Sequence, residues 1–231
     1  MGVKYPVNEK FFVKWGPEMA YVLGYIYADG SLEDASYLRG KYLRVTSTDR
    51  KSIVRIRRWM NSEHTIVVQK PSVKHPGKIR YCLRIGSHKL YNNLMIYGLR
   101  PRKSLTIQFP EIPPPFLSHY VRGYLDGDGC IYLERGTGSK KQRILKRLSV
   151  IFTSGSPGYL KGLEEALRKR LRLSERRIYS SARAFQLRFS TRDSLKICDF
   201  LYKGMRKGQY LERKFAVYQH YLELKNGAVV K

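Results

Sequence analysis

Apolar positions along the chain follow two rhythms. Pro17 opens a segment whose apolar residues run to Ala28, and a proline just inside its start predicts a helix after Gly16. Alternation then takes over. In "YLRVTST" the apolar Leu43 and Val45 are set between Tyr42, Arg44 and Thr46, a period-two pattern. It predicts strands over about 31–36 and 41–48. Ile53, Ile56 and Met60 return to helical spacing. A second alternating pair follows, "TIVVQK" and "IRYCLRIGS", and then a helix over about 88–97. The same order recurs further on. A helix starts near Pro115 or Ser118, with strands over about 130–135 and 146–153. Leu160, Leu163 and Leu167 mark the next helix. A hairpin lies in "RRIYSSARAFQLRFS" and a helix over about 193–203. A last helix, about 210–225, carries Leu211, Phe215, Tyr218 and Leu222 on one face.

The recurrence extends to the residues. "VLGYIYADGSLE", Val22 to Glu33, matches "VRGYLDGDGCIYLE", Val121 to Glu134, almost position for position. Asp128 follows Asp29 by 99 residues. "YLRVTSTDRKSIVRIRRWM" parallels "RLSVIFTSGSPGYLKGLEEAL". "RYCLRIGSHKLYNNLMIYG" parallels "FQLRFSTRDSLKICDFLYKG", and "RKSL" parallels "RKFA". Four matched segments in one order make the chain a tandem duplication of an αββαββα unit. The fold class is therefore α+β. The segment "RPRKSLTIQFPEIPPPFL" joins the copies, and its prolines favour an extended linker. The sequence divides into halves 1–100 and 116–231 with the linker 101–115 between them.

Charge narrows the partner. The 231 residues hold 45 Lys and Arg against 18 Asp and Glu, a formal charge of +27. Such an excess costs self-repulsion and points to a polyanion, nucleic acid first. No apolar run reaches the roughly 20 residues of a membrane span. Cys82, Cys130 and Cys198 are odd in number and far apart, with no CxxC pair. They are expected to be reduced, and mostly packed, in an intracellular protein. The N-terminal "MGVKYPVNEKFF" lacks the apolar core of a signal peptide.

Against that charge, two helices end on acid. Gly24 and Ala28 share one helix face, and so do Gly123 and Gly127. Small residues at that spacing let two helix backbones approach closely. The two helices are expected to pack on each other across a pseudo-two-fold axis, bringing Asp29 and Asp128 close. Acid is disfavoured at a helix C-terminus, and paired carboxylates repel. Divalent cations would resolve both, since Mg²⁺ takes carboxylate and carbonyl oxygens. Metals at paired acids beneath a basic surface suit phosphodiester hydrolysis.

The doubled motif resembles the LAGLIDADG signature of homing endonucleases, and the resemblance covers nearly the whole chain. It implies antiparallel four-stranded saddle sheets around a central pair of packed helices, in a single-chain monomer. It implies that Asp29 and Asp128 are the metal-binding acids, with the carbonyls of Ala28 and Gly127 as further ligands. The sixth motif position, often Asp, is Tyr27 in the first copy and Asp126 in the second. The family places a lysine in each active site, and the matching residues are Lys103 and Lys214. Ser47 and Ser154 would line a water pocket. Mg²⁺ is the expected cofactor, Mn²⁺ a substitute, and Ca²⁺ is expected to bind without turnover.

The resemblance also assigns the strands to the major groove. Tyr42, Arg44, Thr46, Arg80, Arg84, Arg177, Tyr179, Gln186 and Arg188 are side-chain types suited to base edges and phosphates. "RGTGSKKQRILKR" holds Arg135, Lys140, Lys141 and Arg143 and reads as a hairpin tip reaching along DNA. The implied activity is site-specific, metal-dependent double-strand DNA cleavage at a long, partly palindromic target. Two other classes stand beside it. One is an intron RNA maturase, or a DNA-binding regulator that keeps the fold; its own intron RNA would be the maturase's partner. The other is a non-specific basic structural protein.

Overall fold

The structure, a computed structural model, describes residues 5–35, 40–71, 77–137 and 143–227, with side chains there except at 135, 137 and 143–146. The elements arrive in the order expected from the pattern. The first copy runs α1 (Pro17–Asp29), β1 (Gly30–Ala35), β2 (Gly40–Ser47), α2 (Arg50–Trp59), β3 (Ile66–Gln69), β4 (Arg80–Gly86) and α3 (His88–Ile96). The second runs α4 (Leu117–Asp128), β5 (Gly129–Thr137), β6 (Arg143–Ser154), α5 (Pro157–Leu171), β7 (Ile178–Ser181), β8 (Ala184–Arg188) and α6 (Thr191–Tyr202), and α7 (Glu212–Gly227) follows.

Local chemistry sets the boundaries. Gly16 is extended before α1, and Pro17 stands where its missing N–H costs nothing. Asp49 caps α2 by accepting from the Ser52 amide at 2.7 Å. Ser156 caps α5 in the same way through the Tyr159 amide. Residues Met19 to Tyr27 are all buried, as expected of a helix that is apolar on every side.

Each copy forms its own four-stranded antiparallel sheet, in the orders β1-β2-β4-β3 and β5-β6-β8-β7. Alternation gives each sheet one core face. In the first this is Leu32, Leu43, Val45, Leu83 and Ile85; in the second it is Ile131, Leu148, Val150, Phe152 and Leu187. Cys82 and Cys198 are buried, and burial pushes the Cys198 thiol up to about 12. Cys130 is exposed, so two of the three cysteines pack, in line with the expectation that they mostly do. No helix among the described residues is long and apolar enough to cross a membrane.

One reading needs correction. The β5–β6 hairpin is longer than 130–135 and 146–153. Glu134 pairs with Arg147 but Arg135 pairs with Leu145, so Lys146 is an extra residue in β6. Such a bulge breaks the alternation that marks a strand in sequence, and pairing resumes beyond it. Arg135 and Arg143 thus belong to strands and not to a loose tip. Lys140 and Lys141 lie outside the described residues. By packing, the chain forms two compact units, residues 1–127 and 128–231. The linker has short 3₁₀ turns at Lys103–Leu105 and Pro114–Phe116 and forms no strand or α-helix. Nearly all of α4 falls in the first unit because it lies against α1.

Candidate active site and nucleic-acid face

The contact of α1 with α4 rests on two glycines used reciprocally. A Cβ on Gly24 would lie 2.0 Å from the Tyr120 carbonyl oxygen, and one on Gly123 would lie 2.0 Å from that of Tyr21. A Cβ on Gly127 would meet the Ala28 methyl at 2.4 Å, with Asp29 Oδ2 at 3.4 Å. All four small positions singled out in the sequence therefore lie along this contact. No other residue type fits at Gly24 and Gly123 without the helices moving apart.

Both helices end on their acids. Asp29 is half-buried and Asp128 is exposed. Lys103 comes to the end of α1: it is 7% exposed, and its Nζ donates to the Tyr27 carbonyl oxygen at 2.7 Å. The last four carbonyls of a helix lack intrahelical partners, and a cation there offsets the helix dipole. Lys103 therefore does for α1 what a basic C-terminal residue would do, and α1 has none. Lys214, in α7, is 5% exposed, so neither matching lysine is a surface residue.

Ser47 and Ser154 occupy equivalent places, with a turn-forming role. Ser47 Oγ accepts from the Asp49 amide, and Ser154 Oγ from the Ser156 amide, both at 3.1 Å. The Tyr25 hydroxyl also donates to Ser47 Oγ at 2.9 Å. Burial raises the Tyr25 pKa well above the usual phenol range, and the nearby Asp29 charge adds to it. Tyr25 is therefore a neutral donor.

The described residues contain no cluster of three or more His, Cys, Asp or Glu. What each helix end does offer is one carboxylate and adjoining main-chain carbonyls. That donor set fits Mg²⁺, which keeps several waters and takes one or two carboxylates plus substrate phosphate.

The first sheet's open face carries Tyr42, Arg44, Thr46, Arg80 and Arg84. Arg44 is directly opposite Arg84 in the register. Glu33 takes both: its Oε1 is 3.3 Å from Arg44 Nη1 and its Oε2 is 2.8 Å from Arg84 Nε. On the second sheet, Tyr179 pairs with Gln186, and Gln186 Oε1 accepts from Arg188 Nε at 2.9 Å. Arg177 is exposed just before β7.

Comparison with known proteins adds the whole-chain pattern. No family profile and no curated protein sequence matches. Solved structures do. I-WcaI, a homing endonuclease bound to its DNA recognition sequence, is 14% identical, with a TM-score of 0.59 over 87% of this chain and 89% of its own. I-SmaMI, bound to an uncleaved DNA target in the presence of calcium ions, is 15% identical, with a TM-score of 0.60 over 94% of each chain. The LAGLIDADG meganuclease I-AabMI, bound to uncleaved DNA, is 14% identical, with a TM-score of 0.59 over 92% and 91%. This chain has the single-chain LAGLIDADG fold. The expected fold class and resemblance hold.

One departure from the LAGLIDADG pattern now has a physical account. In the first motif Tyr27 donates to the Tyr97 carbonyl oxygen at the end of α3 and packs edge-on to Tyr120. It ties α1 to α3 of its own copy and packs against α4 of the second. In the second motif Asp126 is 2% exposed and accepts from the Tyr21 hydroxyl at 2.6 Å. Tyr21 in turn accepts from Arg55 Nη2 at 2.7 Å, and Arg55 is 4.0 Å from Asp126. This buried network joins α4, α1 and α2. Sequence reasoning missed Arg55 and Tyr21, because the network is tertiary. Its one legible signal was an acid in an otherwise apolar helix stretch.

Proposed function

We propose that the chain is a monomeric, divalent-metal-dependent, site-specific double-strand DNA endonuclease. The observation that carries this reading is the reciprocal glycine packing of two helices that each end on an acid, with buried Lys103 fixed at the end of α1. A chain using that geometry for stability alone would gain from neutral or basic helix ends. DNA-bound proteins of the same fold, and the charge of +27, support duplex DNA as the substrate.

Asp29 with the Ala28 carbonyl, and Asp128 with the Gly127 carbonyl, would hold the cations. Bound Mg²⁺ would lower the pKa of a coordinated water and offset charge on the leaving oxygen. Mn²⁺ would substitute, and Ca²⁺ would bind without turnover. Lys103 and Lys214 would stabilise developing negative charge, each acid serving one strand. Ser47 and Ser154 would hold the turns beside the site, and Tyr25 would reach Ser47 from α1. An intracellular setting follows from the substrate.

The test is a cleavage selection. Purified protein and Mg²⁺ meet a randomised duplex library, and the cut ends are sequenced. The reading expects a long, partly palindromic consensus. Asp29→Asn and Asp128→Asn should lower cleavage by at least the ~10–100-fold that losing a ligand's supporting partner costs. No cut ends above the variants' background would reject the endonuclease and leave the maturase or regulator reading.

A further inference from the structure

An acid on the DNA-facing side of a strongly basic chain needs a reason, and Glu33 has a specific one. Arg44 and Arg84 are cross-strand neighbours, an unfavourable pairing of like charges. Glu33 offers one oxygen to each. The Arg84 guanidinium also stacks over the Tyr42 ring, 3.5 Å from its centroid. That ring has a prepared seat. A Cβ on Gly40 would strike it at 2.5 Å and one on Gly86 at 3.1 Å, so two glycines let it lie flat on the sheet. The arginine is thus fixed from the side by Glu33 and from below by Tyr42, with its outer Nη edge left for a ligand.

The matched positions of the second sheet lack this device. Matching the registers from the two motif acids, Tyr132 stands where Glu33 does and Ser149 where Tyr42 does. Ile151 replaces Arg44, and Arg188 matches Arg84. At these matched positions one arginine remains, Arg188, held by Gln186, while Arg147 pairs with Glu134 at 3.5 Å further along the same face.

Resting on the DNA-binding reading above, we propose that Glu33 is a specificity-determining residue. It holds Arg44 and Arg84 as a preorganised pair of guanine readers, so that one half-site carries two neighbouring G·C pairs and the corresponding place in the other carries one. A guanidinium edge matches guanine O6 and N7. Fixing it beforehand reduces the side-chain ordering that binding otherwise requires.

The test is a binding selection from a randomised duplex library, without added metal, so that cleavage plays no part. Wild type, Glu33→Gln and Arg84→Lys are compared. Glu33→Gln keeps the shape and removes the charge that holds both arginines. It should lower guanine preference about tenfold at two neighbouring positions of one half-site and leave the rest of the consensus intact. Arg84→Lys should relax only one of those positions. An unchanged consensus in Glu33→Gln, or an even loss across both half-sites, would overturn the inference. So would a wild-type selection with no preference, which would also remove the DNA-reading basis. A wild-type consensus that is bound and never cut with Mg²⁺ would support the inference while rejecting the endonuclease.

Discussion

At the scale of residues, buried charge is placed where a helix end or another buried group needs it. Lys103 satisfies a carbonyl of the last turn of α1. Lys103→Met should cost about 1–3 kcal/mol by leaving that buried acceptor without its donor, read by urea denaturation. Cleavage should fall by more than this loss of folded protein explains. His119 gives a second residue-level prediction. Arg122 Nη2 approaches its Nδ1 at 2.9 Å, which requires an unprotonated nitrogen. Burial first, and then the Arg122 charge, pushes its pKa down to about 4 from 6.5. Between those values the unfolded chain binds a proton that the folded chain does not. Stability from this group is complete above about pH 6.5 and is lost as pH falls toward 4. Replacing His119 by Gln should flatten the stability–pH slope in that window.

At the scale of elements, α1 and α4 are specified by what they lack. Gly24→Ala or Gly123→Ala would press a methyl into a backbone carbonyl, which gives no way except by separating the helices. Overpacking usually costs about 1–3 kcal/mol, and these sites should lie at the upper end in urea melts. Cleavage should fall further than stability, because the helix ends move with the helices. Much of this was legible in the sequence. The repeat fixes element order without any propensity argument, since two copies test each other. The glycine spacing points to the contact that the structure contains. The β5–β6 extension was not legible, because Lys146 bulges and shifts the alternation by one. The Glu33 clamp was not legible either, because it depends on strand register. Tyr42, Arg44 and Arg84 could be named as face residues from alternation, but which acid joins them could not.

At the scale of the whole molecule, charge and chemistry are separable. An excess of +27 acts on any polyanion, so non-specific binding should be strong at low salt. A protein making about 6–10 phosphate contacts loses about 10³–10⁵ in affinity between roughly 50 and 200 mM salt. Filter binding on random and selected duplexes should share much of that salt slope and differ in intercept. A single salt curve for both would favour a non-specific basic protein. The most direct measurement of the central claim is strand-resolved cleavage. The selected duplex, labelled on each strand in turn, is incubated with Mg²⁺ and wild type, Asp29→Asn or Asp128→Asn under single-turnover conditions. The account predicts both strands cut by wild type, and cutting lost or reduced to nicking in each variant. Either variant cutting both strands at the wild-type rate would contradict it.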